Sequence, residues 1–408
     1  VRRVFITGMG VVSPYGEGVA PLMEGLWSGR SGISKARGTD GIGGLRSHVA
    51  GLVPTIDLSA IDRRHRRSMS AMSRYATVAA IEALRRGGLP LEEAPAAGVG
   101  VLIGSTVGST AASEVFFEDY FRDRSLERMK STLFFQIMNH SCAANVAQVL
   151  GLTGRVVSPS SACSTSCQAV GLGREMIAAG FAERLLCGGA DEFHPLTTAT
   201  FDVLNAASTG YNDRPWLTPR PFDRDRDGVV CAEGAGLLLL ESEESVRARG
   251  ARPLAEVAGF ATVADPTSIA NPSMEHIERC MRDALKDAGM DPRGIGYINA
   301  HATATVHGDA AEAAAIGRVF GREVPVSSLK GHLGHTMAAS GAIELAAVVG
   351  MLARQMLVPT LNLEVVSDDC LMIRHVGSVG EQAVDAVVKN NFALGGVNST
   401  IILKRCSG

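Results

Sequence analysis

Runs that read as strands alternate with runs that read as helices along this chain, and they do so twice in the same order. The first set of strand-like runs is Val1–Gly8, Val99–Gly104, Arg155–Ser158, Arg184–Gly188 and Gly236–Glu241. The second is Leu254–Val263, Ile295–Ala300, Val324–Ser328, Ala386–Asn391 and Ser399–Lys404. Between them Ser73–Arg86, Gly171–Ala182, Met274–Gly289 and Gly341–Gln355 carry apolar residues at helical spacing. Such alternation predicts an α/β protein of layered helices and mixed sheets. In the first half Val99–Gly104 stands ahead of a strand leading to Cys163. In the second Ile295–Ala300 stands ahead of one leading to Lys330. We read two similar half-domains, residues 1–250 and 251–408, connected around Arg247–Arg252 and Pro253. Identity between the halves is slight, so the repeat is one of pattern. The Pro-, Asp- and Arg-rich segment Thr209–Arg226 reads as a long ordered loop.

Composition narrows the class. A chain of 408 residues with 46% hydrophobic and 20% charged residues suits a globular enzyme with a large core. No run of about 18 apolar residues occurs, so no membrane span is expected. The opening Val1–Gly8 reads as a strand and not as a secretion signal. A net charge of −3 gives no global attraction to nucleic acid. The eight cysteines lack the spacing of a disulfide scaffold or a zinc site, which fits a reducing cytoplasm.

Most of those cysteines are expected to be small buried hydrophobes. Cys163 differs. A strand-like approach, Val156-Val157-Ser158, ends in small residues, then the cysteine, then a helical pattern running to about Phe181. A thiol at a helix mouth meets unpaired N–H groups and the positive end of the helix dipole, which favour thiolate. Small neighbours let a substrate approach a nucleophile there. Cys167, one turn on, is expected to pack against the inner side of the helix.

Two segments of the second half add chemistry. In Asn299-Ala300-His301-Ala302-Thr303-Ala304-Thr305-Val306, with Glu312 beyond, a histidine follows a strand end, where sites on sheet edges form. In Ser327-Ser328-Leu329-Lys330-Gly331-His332-Leu333-Gly334-His335, glycine and histidine alternate before small residues open a helix. Either histidine alone reads as a satisfied structural group. Both, with a cysteine at a helix mouth, point to a catalytic cluster.

Taken together, these motifs resemble the elongating, decarboxylating β-ketoacyl-acyl-carrier-protein synthases, which have the thiolase fold. The resemblance spans nearly the whole chain. It includes Val4–Pro14, Ala162-Cys163-Ser164-Thr165-Ser166, Arg220-Pro221-Phe222-Asp223 with Arg226-Asp227-Gly228, and Asn391–Asn398. It implies two duplicated half-domains in an α-β-α-β-α stack. It implies that Cys163 carries the acyl chain, with its own N–H and that of Leu394 as the oxyanion hole. His301 and His335 would stabilise the enolate left when a malonyl thioester loses carbon dioxide. Lys330 and Glu312 would form an ion pair holding the histidine loops. Thr303 and Thr305 would bind the pantetheine arm, Phe392 and Leu394 would line the gate, and Val107 would stand at the acyl-pocket floor. The only prosthetic chemistry implied is the phosphopantetheine of the carrier protein, with no metal and no organic cofactor.

The chain departs from the pattern at its histidine loop and its gate, and Val107 stands where the family often has a larger isoleucine. The usual His-Gly-Thr-Ser-Thr-Pro is His301–Val306, and the usual Gly-Phe-Gly-Gly gate is Ala393-Leu394-Gly395-Gly396. The resemblance implies fatty-acid biosynthesis or a specialised polyketide or polyene branch, and these changes favour the specialised branch. Carrier proteins are acidic, so Arg63, Arg64, Arg66 and Arg67 are the expected docking patch. Arg122, Arg124, Arg128 and Lys130 form a second basic cluster. The family implies a homodimer, or a heterodimer with a chain-length-factor subunit, with Leu133–Met138 near the interface. A non-catalytic chain-length subunit and a coenzyme A-dependent thiolase are the competing readings. The first is opposed by the presence of Cys163, His301 and His335, and the second by the absence of a cysteine from Phe392–Asn398.

Overall fold

A computed structural model describes residues 2–406, so Val1, the first residue of the first expected strand, lies outside them. Ten strands form the framework. Those of the first half are β1 (Val4–Ser13), β2 (Gly100–Gly104), β3 (Val156–Val157), β4 (Arg184–Asp191) and β5 (Gly234–Ser242). Those of the second are β6 (Ala255–Ala264), β7 (Tyr297–Asn299), β8 (Pro325–Ser327), β9 (Ala386–Ala393) and β10 (Val397–Arg405).

The two halves have one topology. In the first, the spatial order is β3-β2-β4-β5-β1, and in the second it is β8-β7-β9-β10-β6. β5 runs antiparallel to both β1 and β4, while β4, β2 and β3 are parallel. β10 likewise runs antiparallel to both β6 and β9, while β9, β7 and β8 are parallel. A short antiparallel seam, Phe5 with Glu256 and Ile6 with Ala255, joins the two sheets. A two-residue strand at Arg374–His375 extends the second sheet beyond β8.

Six helices repeat the same correspondence: α1 (Ala71–Arg86), α2 (Ser141–Leu150), α3 (Thr165–Ala178), α4 (Met274–Asp287), α5 (Val306–Phe320) and α6 (Ser340–Arg354). α1 and α2 cover the outer face of the first sheet, and α4 and α5 that of the second. α3 and α6 pack against each other between the sheets, which gives the expected α-β-α-β-α stack. Each helix carries the pattern its layer demands. α4 buries Ile277, Cys280, Met281, Ala284 and Leu285, one stripe at helical spacing, and leaves charged residues outside. α6 is apolar nearly all round and is sandwiched; Glu344 is the one acid on it. Among the described residues the only helical stretch long and apolar enough to cross a membrane is Met337–Arg354, and it lies in this middle layer.

The close fit of β1 beneath α1 depends on glycine. All ten residues of β1 are buried. A Cβ added at Gly10 would lie 1.8 Å from the Ala79 carbonyl oxygen, so the helix backbone rests directly on the strand.

Expected elements differ mainly at their ends. The helix expected at Gly171–Ala182 begins at Thr165 and stops at Ala178, before Gly180, which adopts φ 79. The strand expected at Ile295–Ala300 keeps only Tyr297–Asn299, because Pro292–Gly294 forms a 3-10 turn just before it.

Candidate active site

Cys163 sits in a 3-10 turn, Ala162–Ser164, that runs straight into α3. The duplicated position in the second half is the turn Met337–Ala339, which runs into α6. Both elbows start on a non-glycine residue in left-handed backbone, Ala162 at φ 46 and Met337 at φ 51. Such residues cost about 1–3 kcal/mol each and persist where their surroundings hold them. Here the surroundings do: the Ser164 hydroxyl donates to the carbonyls of Asn391 (3.0 Å) and Val397 (2.8 Å), and Asn391 Nδ2 donates to the Cys163 carbonyl (3.1 Å).

The thiol shares a cavity of about 320 Å³ with His301, His335, Thr303, Thr305, Phe392 and Leu394. The His301 and His335 rings stand nearly perpendicular with centroids 5.3 Å apart, and the Phe392 ring lies 5.7 Å from His301. The backbone N–H groups of Leu394 and of Cys163 itself lie near enough to the thiol to favour its ionised form. His335 Nδ1 accepts from the Met337 N–H (3.3 Å), while its Nε2 is buried without a protein partner. His301 Nδ1 is also buried and unpartnered. Burial, reinforced by the Lys330 and Lys389 ammoniums, holds both imidazoles well below their ordinary range, so both are neutral at neutral pH.

The expectation that the helix mouth yields a thiolate is corrected. Burial pushes the Cys163 thiol up to about 11; the Leu394 N–H and Lys330 oppose this only in part. The short 3-10 turn and the enclosing walls remove the water that a thiolate would need.

A second correction concerns the ion pair. Lys330 Nζ bonds Glu344 Oε1 (2.7 Å), not Glu312. Glu312 instead cradles the histidine loop: its carboxylate accepts the N–H groups of His301 (2.9 Å) and Ala302 (2.7 Å) and Nδ2 of Asn390 (3.1 Å). The carboxylate that meets Lys330 comes from α6, the middle helix. The second oxygen of Glu344 faces another buried lysine, Lys389 of β9, at 2.6 Å.

The loop carrying Thr303 and Thr305 is fastened from below. Asp309 accepts the N–H groups of Phe222 (2.8 Å) and Ala304 (3.1 Å), and Arg226 Nη2 donates to the Val306 carbonyl (2.9 Å). This gives the Arg220–Gly228 motif its task. The gate turn after β9 is tied to the loop before α4: Gly395 N–H donates to the Ile269 carbonyl (2.8 Å) and Asp265 N–H to that of Gly396 (2.7 Å).

Other expected residues fall elsewhere. Val107 is 58% exposed on the turn after β2 and lines no part of this cavity within one chain, contrary to its expected place at the pocket floor. Arg63, Arg64 and Arg67 are exposed, whereas Arg66 is half-buried and spends its guanidinium on the Ile61 and Leu58 carbonyls. In the second basic cluster, Arg122 and Arg128 are paired with Glu118 and Asp123. Cys167 is fully buried, as its spacing implied. Sequence reasoning missed Glu344, Lys389, Asn390 and Asn391 as site residues. The available signal was a lone acid in an apolar helix and a lone lysine in an apolar strand.

Comparison with known proteins identifies the arrangement. The profile described as "Beta-ketoacyl synthase, N-terminal domain" matches residues 1–245, and that described as "Beta-ketoacyl synthase, C-terminal domain" matches residues 254–364. The chain belongs to the β-ketoacyl synthase family. It is 35% identical to the 3-oxoacyl-[acyl-carrier-protein] synthase 2 of Vibrio cholerae over 99% of both chains. A β-ketoacyl synthase from Burkholderia phymatum superposes with a TM-score of 0.96 at 38% identity, covering all of both chains. The ishigamide ketosynthase/chain length factor superposes with a TM-score of 0.90 at 30% identity, again over all of both chains. This β-ketoacyl synthase is thus an acyltransferase that makes carbon–carbon bonds by condensation.

Proposed function

We propose that this enzyme joins an acyl group held on Cys163 to a malonyl unit carried by an acyl carrier protein, in specialised polyketide or polyene assembly. The observation that carries the reading is the convergence of one thiol, two neutral imidazoles and two N–H groups on one cavity. In the first step Cys163 gives up its proton and attacks the acyl thioester. The oxyanion of the tetrahedral intermediate sits between the N–H groups of Leu394 and Cys163, and the pantetheine sulfur leaves and takes up a proton. In the second, the malonyl thioester loses carbon dioxide. The bond pair becomes an enolate whose oxygen accepts from imidazole N–H groups of His301 and His335. The enolate carbon then attacks the acyl-Cys163 carbonyl and expels the cysteine sulfur. Thr303 and Thr305 hold the pantetheine arm in this scheme, and Arg63, Arg64 and Arg67 meet the acidic carrier.

The altered gate, Ala393-Leu394, and the likeness to a ketosynthase/chain length factor support the specialised branch and a chain-length partner subunit. The test is incubation with acyl- and malonyl-carrier protein, alone and with the candidate partner, with mass spectrometry of products and of Cys163. The reading expects an adduct on Cys163 and a β-keto product two carbons longer, with yield dependent on the partner. No adduct under either condition overturns it, and full activity of the lone chain overturns the heterodimer.

A further inference from the structure

Strand β9 and the turn after it reach the thiol, the carboxylate that cradles the histidine loop, and His301. Asn391 holds the Cys163 carbonyl, Asn390 holds Glu312, Phe392 flanks His301, and the N–H of Leu394, just past the strand, faces the thiol. Lys389 stands on the same strand, fully buried, and nothing in the condensation described above uses it. A buried ammonium is costly unless it is paired. Its partner is Glu344, whose other oxygen is taken by Lys330, and it also donates to the Asn390 carbonyl.

Counting charges explains the pair. Two buried carboxylates, Glu312 and Glu344, lie against two buried ammoniums, Lys330 and Lys389. With Lys330 alone, two buried carboxylates would face a single ammonium, and the charge on each would cost more to keep. Protonated Glu312 would lose acceptor capacity toward the His301 and Ala302 N–H groups; protonated Glu344 would lose its hold on Lys330.

We propose that Lys389 is a positioning residue for the condensation, which by sharing Glu344 with Lys330 keeps both carboxylates charged and both histidine loops in place. It touches no substrate. The inference rests on the proposed condensation. Its field also bears on the imidazoles. The charged and titratable groups around His301 and His335 are each other, Lys330 beyond β8, Lys389 on β9, Glu312 on α5, Glu344 on α6, Asp191 at the end of β4, the Cys163 thiol, and Asp227 and His307, which line the same cavity. Lys389 is one of two cations among them, and removing it leaves the imidazoles easier to protonate.

The experiment compares wild type with Lys389→Met, which keeps bulk, and Lys389→Gln, which keeps a donor but no charge. Two readouts are taken. The first is kcat and KM for malonyl-carrier-protein decarboxylation against pH. The second, independent of turnover, is the pH dependence of diethyl pyrocarbonate modification of His301 and His335, mapped by mass spectrometry. Both variants are expected to lose tenfold or more in kcat with KM within twofold. Their acid limbs and carbethoxylation midpoints are expected to move to higher pH together. Unchanged midpoints and kcat within twofold in folded variants overturn the assignment. So does failure of both variants to fold, which would give Lys389 to the core alone. A wild type that is inactive yet shows the midpoint shift in its variants would overturn the proposed condensation and leave the charge coupling standing.

Discussion

The Met337 N–H donates to Nδ1 of His335, and this bond decides which proton the ring carries. An Nδ1 that accepts cannot bear hydrogen, so the neutral ring has its proton on Nε2, the buried and unpartnered nitrogen. An imidazolium would place a hydrogen against the Met337 N–H and lose the anchor. His335 is thus built to donate while neutral. His335→Ala is expected to lower malonyl decarboxylation by about 10²–10³ while Cys163 still accepts an acyl group. Carbon dioxide release and adduct formation, measured side by side, separate the two steps; an equal loss in both would contradict this division of labour.

The same buried ring makes the fold acid-sensitive. Burial, then Lys330, hold His335 well below its ordinary value in the native state, whereas the unfolded chain titrates near about 6.5. As pH falls through that value the unfolded state binds a proton that the native state does not, so stability is lost toward acid. Asp191 and Asp309, pushed up by burial to about 6 and about 7, act in the opposite sense and mask this in the wild type alone. The stability of wild type relative to His335→Ala isolates the histidine. That difference, from urea midpoints, is expected to shrink below pH about 6.5 by up to about 1.4 kcal/mol per pH unit. A difference flat from pH 7 to 5 would mean that the ring titrates in the fold as it does in the unfolded chain.

For the thiol, burial and the helix mouth make opposite predictions, and the enclosed geometry decides for burial. With Cys163 pushed up to about 11, thiolate grows about tenfold per pH unit through the accessible range. Iodoacetamide alkylation of Cys163 is therefore expected to climb steadily from pH 7 to 10. A plateau below pH 8 would show that the N–H groups at the elbow outweigh desolvation.

How much of this was legible in the sequence follows from which forces are local. The strand and helix patterns are set by alternating and helical spacing of apolar residues, so Val99–Gly104 and Met274–Gly289 were readable, and their order exposed the duplication. Cys163, His301 and His335 sit at strand ends and helix mouths that announce themselves in small residues. The partner of Lys330 was not readable. Glu344 is the nearer of the two in sequence, but it sits in an apolar helix, and only the packing of α6 between the sheets turns it to Lys330 while Glu312, on α5, turns to the histidine loop. The thiol's proton affinity was missed for the same reason: the helix N-terminus is local, while the desolvation that overrides it comes from walls contributed by both halves. Val107 was placed by resemblance, and a lone chain leaves it in solvent.

Gly396 offers a test of the gate that does not touch the chemistry directly. It adopts φ 74, and a Cβ there would lie 2.0 Å from the Asp265 carbonyl oxygen, so alanine must push the turn away from the loop before α4. That loop is held to the turn by the Gly395–Ile269 and Asp265–Gly396 hydrogen bonds. The turn begins with Leu394, whose N–H faces Cys163, so displacing it removes a donor from the position of the oxyanion. Gly396→Ala is expected to lower acyl transfer to Cys163 by about 10²–10³, the usual effect of losing one such donor. His335-dependent decarboxylation should fall far less, because His301 and His335 are anchored by Glu312 and Met337 and not by the gate. Single-turnover acylation and carbon dioxide release, measured on the same preparation, read the two effects. If acylation survives with the thermal transition unchanged, the Leu394 N–H is not the donor that the oxyanion needs.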